Sequence, residues 1–176
     1  MKGLLRFSVA GLLFIFVAAS QCVDEVSNLP ITLNISQNVS LSGDTNIVVK
    51  AEVLNPNTEA AFRDNKNKIE SVEIERILAS TVDLNQQGGT QLVSGIISIG
   101  HPDSVGSALI DSISNVDLRT MNDKVLTLNP TQVAALGTLL KTSDSGVQLY
   151  YRAKVDRKPF SATLKFTFRI KVKLNP

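Results

Sequence analysis

The chain has 176 residues, 18 Lys and Arg against 16 Asp and Glu, one His, one Cys and no Trp. A lone histidine and a lone cysteine leave a thiolate or imidazole zinc site short of ligands, and the near balance of charge gives no electrostatic basis for nucleic-acid binding. The length suits a single domain, and the abundance of Val, Ile, Leu and Thr favours pleated, half-buried strands.

Lys2 and Arg6 open the chain. An apolar run from Phe7 to Ala19 follows, interrupted by Ser8 and Gly11, and the small pair Ala19-Ser20 leads to Gln21 and Cys22. This is the layout of a secretory signal, and the run is too short for a membrane span, which takes roughly 20 apolar residues. Two cuts fit. Small residues at Ala18 and Ser20 allow one that releases a chain starting at Gln21. Alternatively, Ala19-Ser20-Gln21-Cys22 resembles a bacterial lipobox, in which the cysteine thiol takes a diacylglyceryl group and becomes the new N-terminus. Gln21 departs from that pattern, which wants a small residue there. Asp24-Glu25 resembles the surface-export signal of Bacteroidota lipoproteins, and a lone cysteine has no partner for an internal disulfide. The resemblance implies a lipoprotein with a palmitate-type anchor on Cys22, the membrane as partner, and a cell-envelope, outer-membrane-associated location, periplasmic or surface-exposed. The first cut implies secretion instead. The domain plan is then a signal over 1–21, a lipidated cysteine and acidic tether over 22–30, and a β domain over 31–176. Loss of Lys2 and Arg6 with the signal leaves 16 cations against 16 acids.

Ile31, Leu33 and Ile35 alternate with Thr32, Asn34 and Ser36, the period of a half-buried strand. Asn34 and Asn38 each head an Asn-x-Ser sequon, which matters only in a host that N-glycosylates. After the turn Ser42-Gly43-Asp44, Ile47, Val49, Ala51 and Val53 fall on one face, with Lys50 and Glu52 on the other. The spacing predicts one long strand over 69–84. Val72, Ile74 and Leu78 share a face there, and Ile77 and Val82 break the alternation as a bulge would. A turn at 86–89 precedes a strand over 92–99, and 100–120 suits either a strand pair or an irregular connection. Asn129-Pro130 predicts a capped helix start with Pro at the first position, and Val133, Leu136 and Leu140 give a short helix over about 130–141.

Leu149, Tyr151, Ala153 and Val155 alternate with polar residues. A second run then places Leu164, Phe166, Phe168, Ile170, Val172 and Leu174 inward. The two read as a hairpin whose last strand is central or long-paired. Strands in succession with turns and a single helix predict a mainly β fold, an antiparallel β-sandwich of immunoglobulin-like arrangement.

Candidate chemistry is sparse. His101, Asp103 and Ser104 are sequence neighbours, which does not make a triad. Asp83 to Gly88 has a calcium-loop rhythm but lacks the closing glutamate. Glu73 and Glu75 share a strand face, whereas glycosidase carboxylates come from opposite sides of a cleft. Asp103-Ser104-Val105 and Asp111-Ser112-Ile113 resemble Bacteroidota O-glycosylation acceptors. No catalytic residue, metal ligand or cofactor is assigned. Charge is segregated: from Tyr150 on, eight cations face Asp156 alone, and from Cys22 to Leu149 eight stand against fifteen acids. Lys165, Arg169, Lys171 and Lys173 therefore mark either a basic strand neutralised by acidic neighbours or a face for an anionic partner. The function expected is a non-enzymatic binding or accessory module of the envelope, with a protein or polysaccharide partner. The alternative is a structural subunit of an envelope or pilus-like assembly, with strand addition by the last strand; the remote alternative is a hydrolase.

Overall fold

A computed structural model describes residues 30–85, 90–100, 102–103 and 108–175. The signal, Cys22 and the acidic tether, the turn at 86–89, His101 and Ser104 lie outside the described residues. The strands are β1 (Ile31–Gly43), β2 (Ile47–Leu54), β3 (Ile69–Leu84), β4 (Gln91–Ile99), β5 (Ala108–Asp117), β6 (Lys124–Val125), β7 (Thr127–Leu128), β8 (Val147–Val155) and β9 (Phe160–Leu174). Helices α1 (Ala60–Arg63) and α2 (Pro130–Thr142) connect β2 to β3 and β7 to β8.

The alternation in β9 does most to build the core. Phe160, Ala162, Leu164, Phe166, Phe168, Ile170 and Val172 are all buried, and burying each large apolar side chain stabilises the fold by roughly 1.5–3 kcal/mol. A one-residue slip would turn that whole row to water, so the register is fixed along both neighbours. β9 lies between β1 and β3 in a four-stranded sheet of order β1-β9-β3-β6. The facing sheet has order β2-β8-β4-β5-β7, and every pairing is antiparallel. Tyr151 of β8 and Phe166 of β9 meet across the layers with ring centroids 4.8 Å apart.

The protein is thus a mainly β, antiparallel two-sheet sandwich. Its strand order is not the immunoglobulin one, in which the first two strands share a sheet. Here β1 and β2 lie in opposite sheets, as do β8 and β9. The chain winds over the core as folded ribbons, the order of a jelly roll. For the same reason β8 and β9 are not a hairpin: the connection over 156–159 crosses from one layer to the other. β9 is central, as expected, with both of its edges already paired, so it cannot be the strand that another chain extends.

Other expectations meet their local geometry. β3 carries register shifts between Ile74 and Arg76 and between Thr81 and Asp83. The first shift brings Ile77 inward in place of Leu78, and the second leaves Val82 exposed. The segment over 100–120 contributes one ten-residue strand, β5, whose register with β4 shifts between Ile97 and Ser98. In β2 the apolar row Ile47, Val49, Ala51 and Val53 faces out, with Val48 and Leu54 buried on the other side. Helix α2 starts as predicted, with the Gln132 N–H donating to Asn129 Oδ1 at 3.4 Å and Pro130 at its first turn.

Candidate functional site: the open side of the sandwich

The two long sides of the sandwich differ. At one, the sheets end in β3 with β6, and in β5 with β7, and loops and a helix take up the free backbone. Leu126 N–H donates to Ile77 O at 3.0 Å, Thr81 N–H to Met121 O at 2.9 Å, and Asn129 N–H to Ile110 O at 2.9 Å. Helix α2 lies against β3 so closely that a Cβ on Gly137 would run into the Val72 carbonyl oxygen. Lys141 Nζ donates to Glu70 O at 2.7 Å. At these points this side is covered.

At the other side the outermost strands are β1 and β2, with no strand beyond either among the described residues. β2 carries the devices that blunt an edge. Lys50 and Glu52 are on its core-facing row, and two of its carbonyls are capped by side chains: Ile47 O by Thr45 Oγ1 at 2.6 Å and Val53 O by Gln37 Nε2 at 3.2 Å. β1 carries none of them. Its residues Ile31–Gly43 include no charge and no proline, and its register with β9 runs without a shift from Ile31 to Gly43. Among the described residues no side chain or loop hydrogen-bonds to its outer backbone.

A polar clasp joins the two edges. Gln37 sits among the inward residues of β1, and its Oε1 accepts from the hydroxyl of Tyr151 at 2.7 Å. Its amide reaches over to Val53 O of β2. Burial, with Glu52 nearby, pushes the Tyr151 hydroxyl above the usual tyrosine range, so it stays a donor. The outer row of β1 is Thr32, Asn34, Ser36, Asn38, Ser40 and Ser42, all exposed. It bonds laterally to β9, Ser36 to Thr167 at 3.1 Å and Ser40 to Thr163 at 3.2 Å. Beside the clasp the outward row of β2 leaves Ile47 42% and Val53 52% exposed.

The residues singled out by sequence fall elsewhere. Arg169 pairs with Glu75 at 2.9 Å and Lys173 with Glu70 at 2.8 Å. Lys171 stands opposite Glu73 in the β3–β9 register, and Lys165 lies between Asn38 and Ser80. Glu73 and Glu75 stand as cross-strand neighbours of cations rather than as a facing acid–base pair. Asp103 is bonded to Arg152 at 3.2 Å, and Asp83 lies at the end of β3. Among the described residues no cluster of three or more His, Cys, Asp or Glu could hold a metal, and no helix is long and apolar enough to cross a membrane. Tyr150 is half-buried on the outer face of β8, opposite Ala51.

One acid departs from its ordinary state. Asp111 on β5 is 2% exposed, and burial lifts its carboxyl to about 6, although Ser112 N–H donates to Oδ1 at 2.6 Å. It borders an internal cavity of about 20 Å³ shared with Met121, Leu126 and Phe166. Ser112 beside it is exposed.

Sequence reasoning missed Gln37 and the edge position of β1. The signals were present: a glutamine in an otherwise apolar alternating row, and a thirteen-residue strand without charge.

No family model matches the chain, and no curated protein matches it. Among solved structures it is similar to a chain of Turnip Yellow Mosaic Virus, with TM-score 0.43 and 8% identity over 84% of this chain and 94% of the viral one. It is also similar to a chain of Cocksfoot mottle virus, with TM-score 0.43 and 13% identity over 84% of this chain and 96% of that one. A third is a chain of the semi-empty virus-like particle of the prawn Macrobrachium rosenbergii nodavirus, with TM-score 0.39 and 12% identity over 85% and 97%. At these scores and identities no function passes from the viruses to this chain. They do displace one expectation, since the chains named are viral and none is an envelope lipoprotein. The Bacteroidota-like lipoprotein, its lipid anchor on Cys22 as membrane partner, its envelope location and its role as a binding or accessory module are therefore corrected. The physical weakness lay in the motif, where bulky Gln21 occupies the position that needs a small side chain and where a short linear match places no constraint on the fold that follows.

Proposed function

We propose that this protein is a structural subunit that assembles with copies of itself through the open side of its sandwich. The observation that carries this reading is the unequal treatment of the two sides. At one, α2, β6, β7 and their loops take up backbone groups of the end strands, while among the described residues the other ends in a long, uncharged strand whose outer backbone nothing caps. An exposed, regular edge presents a row of backbone donors and acceptors that another strand completes, and soluble monomers ordinarily blunt such an edge. The exposed Ile47 and Val53 beside it add apolar area to the same side. Sedimentation velocity of the full chain over a range of concentrations tests the reading. Discrete species heavier than the 19.0 kDa chain are expected, growing with concentration; a single species of monomer mass throughout contradicts it.

A further inference from the structure

Resting on that self-assembly reading, we infer that the contact is strand to strand: β1 pairs antiparallel with β1 of a second copy across a two-fold axis, joining two four-stranded sheets into one. The choice of β1 over β2 follows from the guarding already described. β2 has Lys50 and Glu52 on its inner row and side chains on two of its carbonyls, whereas among the described residues nothing caps the outer backbone of β1.

The choice of a second copy follows from self-complementarity. In an antiparallel pair that keeps the faces aligned, outer row meets outer row and inner row meets inner row. The outer row of β1 consists of hydroxyls and amides, each of which both donates and accepts, so two identical rows match without opposing like charges. The same chemistry already works on the other flank of the strand, where Ser36 and Ser40 bond to Thr167 and Thr163. The apolar residues Ile31, Leu33, Ile35, Val39 and Leu41 line the inner face, and a partner's identical row continues that face. An uncharged edge gives no purchase to an acidic or basic peptide in particular. A two-fold contact is also isologous, using one patch twice and closing on itself.

Ser36 lies near the middle of β1 and is exposed, so a charge there meets its own copy across the axis. Ser36→Lys and Ser36→Glu are each expected to raise the dissociation constant of the pair about tenfold, since like charges opposed across strands destabilise them. Mixing the two variants restores association, and Val82→Lys on β3, at the opposite side and 57% exposed, leaves it intact. Thermal melts confirm that each variant is folded; two opposite charges at one exposed position keep the test available if one of them disturbs the sheet. A wild-type chain that stays monomeric sinks the self-assembly reading itself. A wild-type oligomer that survives both Ser36 variants, or variants whose mixture does not recover, overturns the β1 pairing alone.

Discussion

Tyr151 and Gln37 connect the layers where the sandwich is least protected. The phenol is buried and donates to Gln37 Oε1 at 2.7 Å, and removing one partner of such a bond strands the other in an apolar setting. Tyr151→Phe should lower the unfolding free energy by about 1–3 kcal/mol in urea titration, whereas an unchanged midpoint would mean that the clasp contributes nothing. Asp111 makes a prediction of opposite sense. Burial raises its carboxyl from 3.8 to about 6, so the folded chain holds that proton more tightly than the unfolded one. Its contribution is full below 3.8, declines as pH rises and is lost above about 6; the loss is on the order of 3 kcal/mol. Asp111→Asn should flatten this dependence and stabilise the protein at pH 7, measured as unfolding midpoints across about pH 3.5–7.5. A wild-type profile with no fall over that window would place the carboxylate in a better-solvated setting than its burial implies.

At the scale of elements, helix α2 is the part of the covered side that a single change can test. The approach of Gly137 to the Val72 carbonyl leaves no room for a methyl group. Gly137→Ala should therefore cost about 1–3 kcal/mol through overpacking, despite the better helix propensity of alanine. A gain in stability would mean that α2 sits farther from β3. This helix was legible in sequence because its cap, its proline and its apolar spacing are all local. So was β9, whose long alternation admits one register. β2 was legible as a strand but not in orientation. Alternation sorts residues onto two faces without saying which face turns inward, and at this open edge Lys50 and Glu52 share the inner row with Val48 and Leu54. In β3 the bulge was foreseeable from Ile77, yet only the pairing with β9 shows that the shift falls between Ile74 and Arg76.

At the scale of the whole molecule, the jelly-roll order was out of reach, because it rests on pairings between distant residues such as Ile31 with Val172. Whether a strand is central or at an edge is likewise a property of those pairings, and so the candidate site was hidden even though its uncharged sequence was in plain view. The basic C-terminal stretch shows the same limit. Its excess charge is visible in composition, but the pairing of Arg169 with Glu75 and Lys173 with Glu70 depends on β9 lying beside β3. On the proposed reading, one side of the sandwich is covered and the other makes the contact. Hydrogen–deuterium exchange of the full chain, dilute and concentrated, separates the two most directly. Amides of Ile31–Gly43 should gain protection with concentration while those of α2 and β3 stay unchanged. Protection of β1 that does not vary with concentration, or a gain confined to the α2 side, would contradict assembly through the open edge.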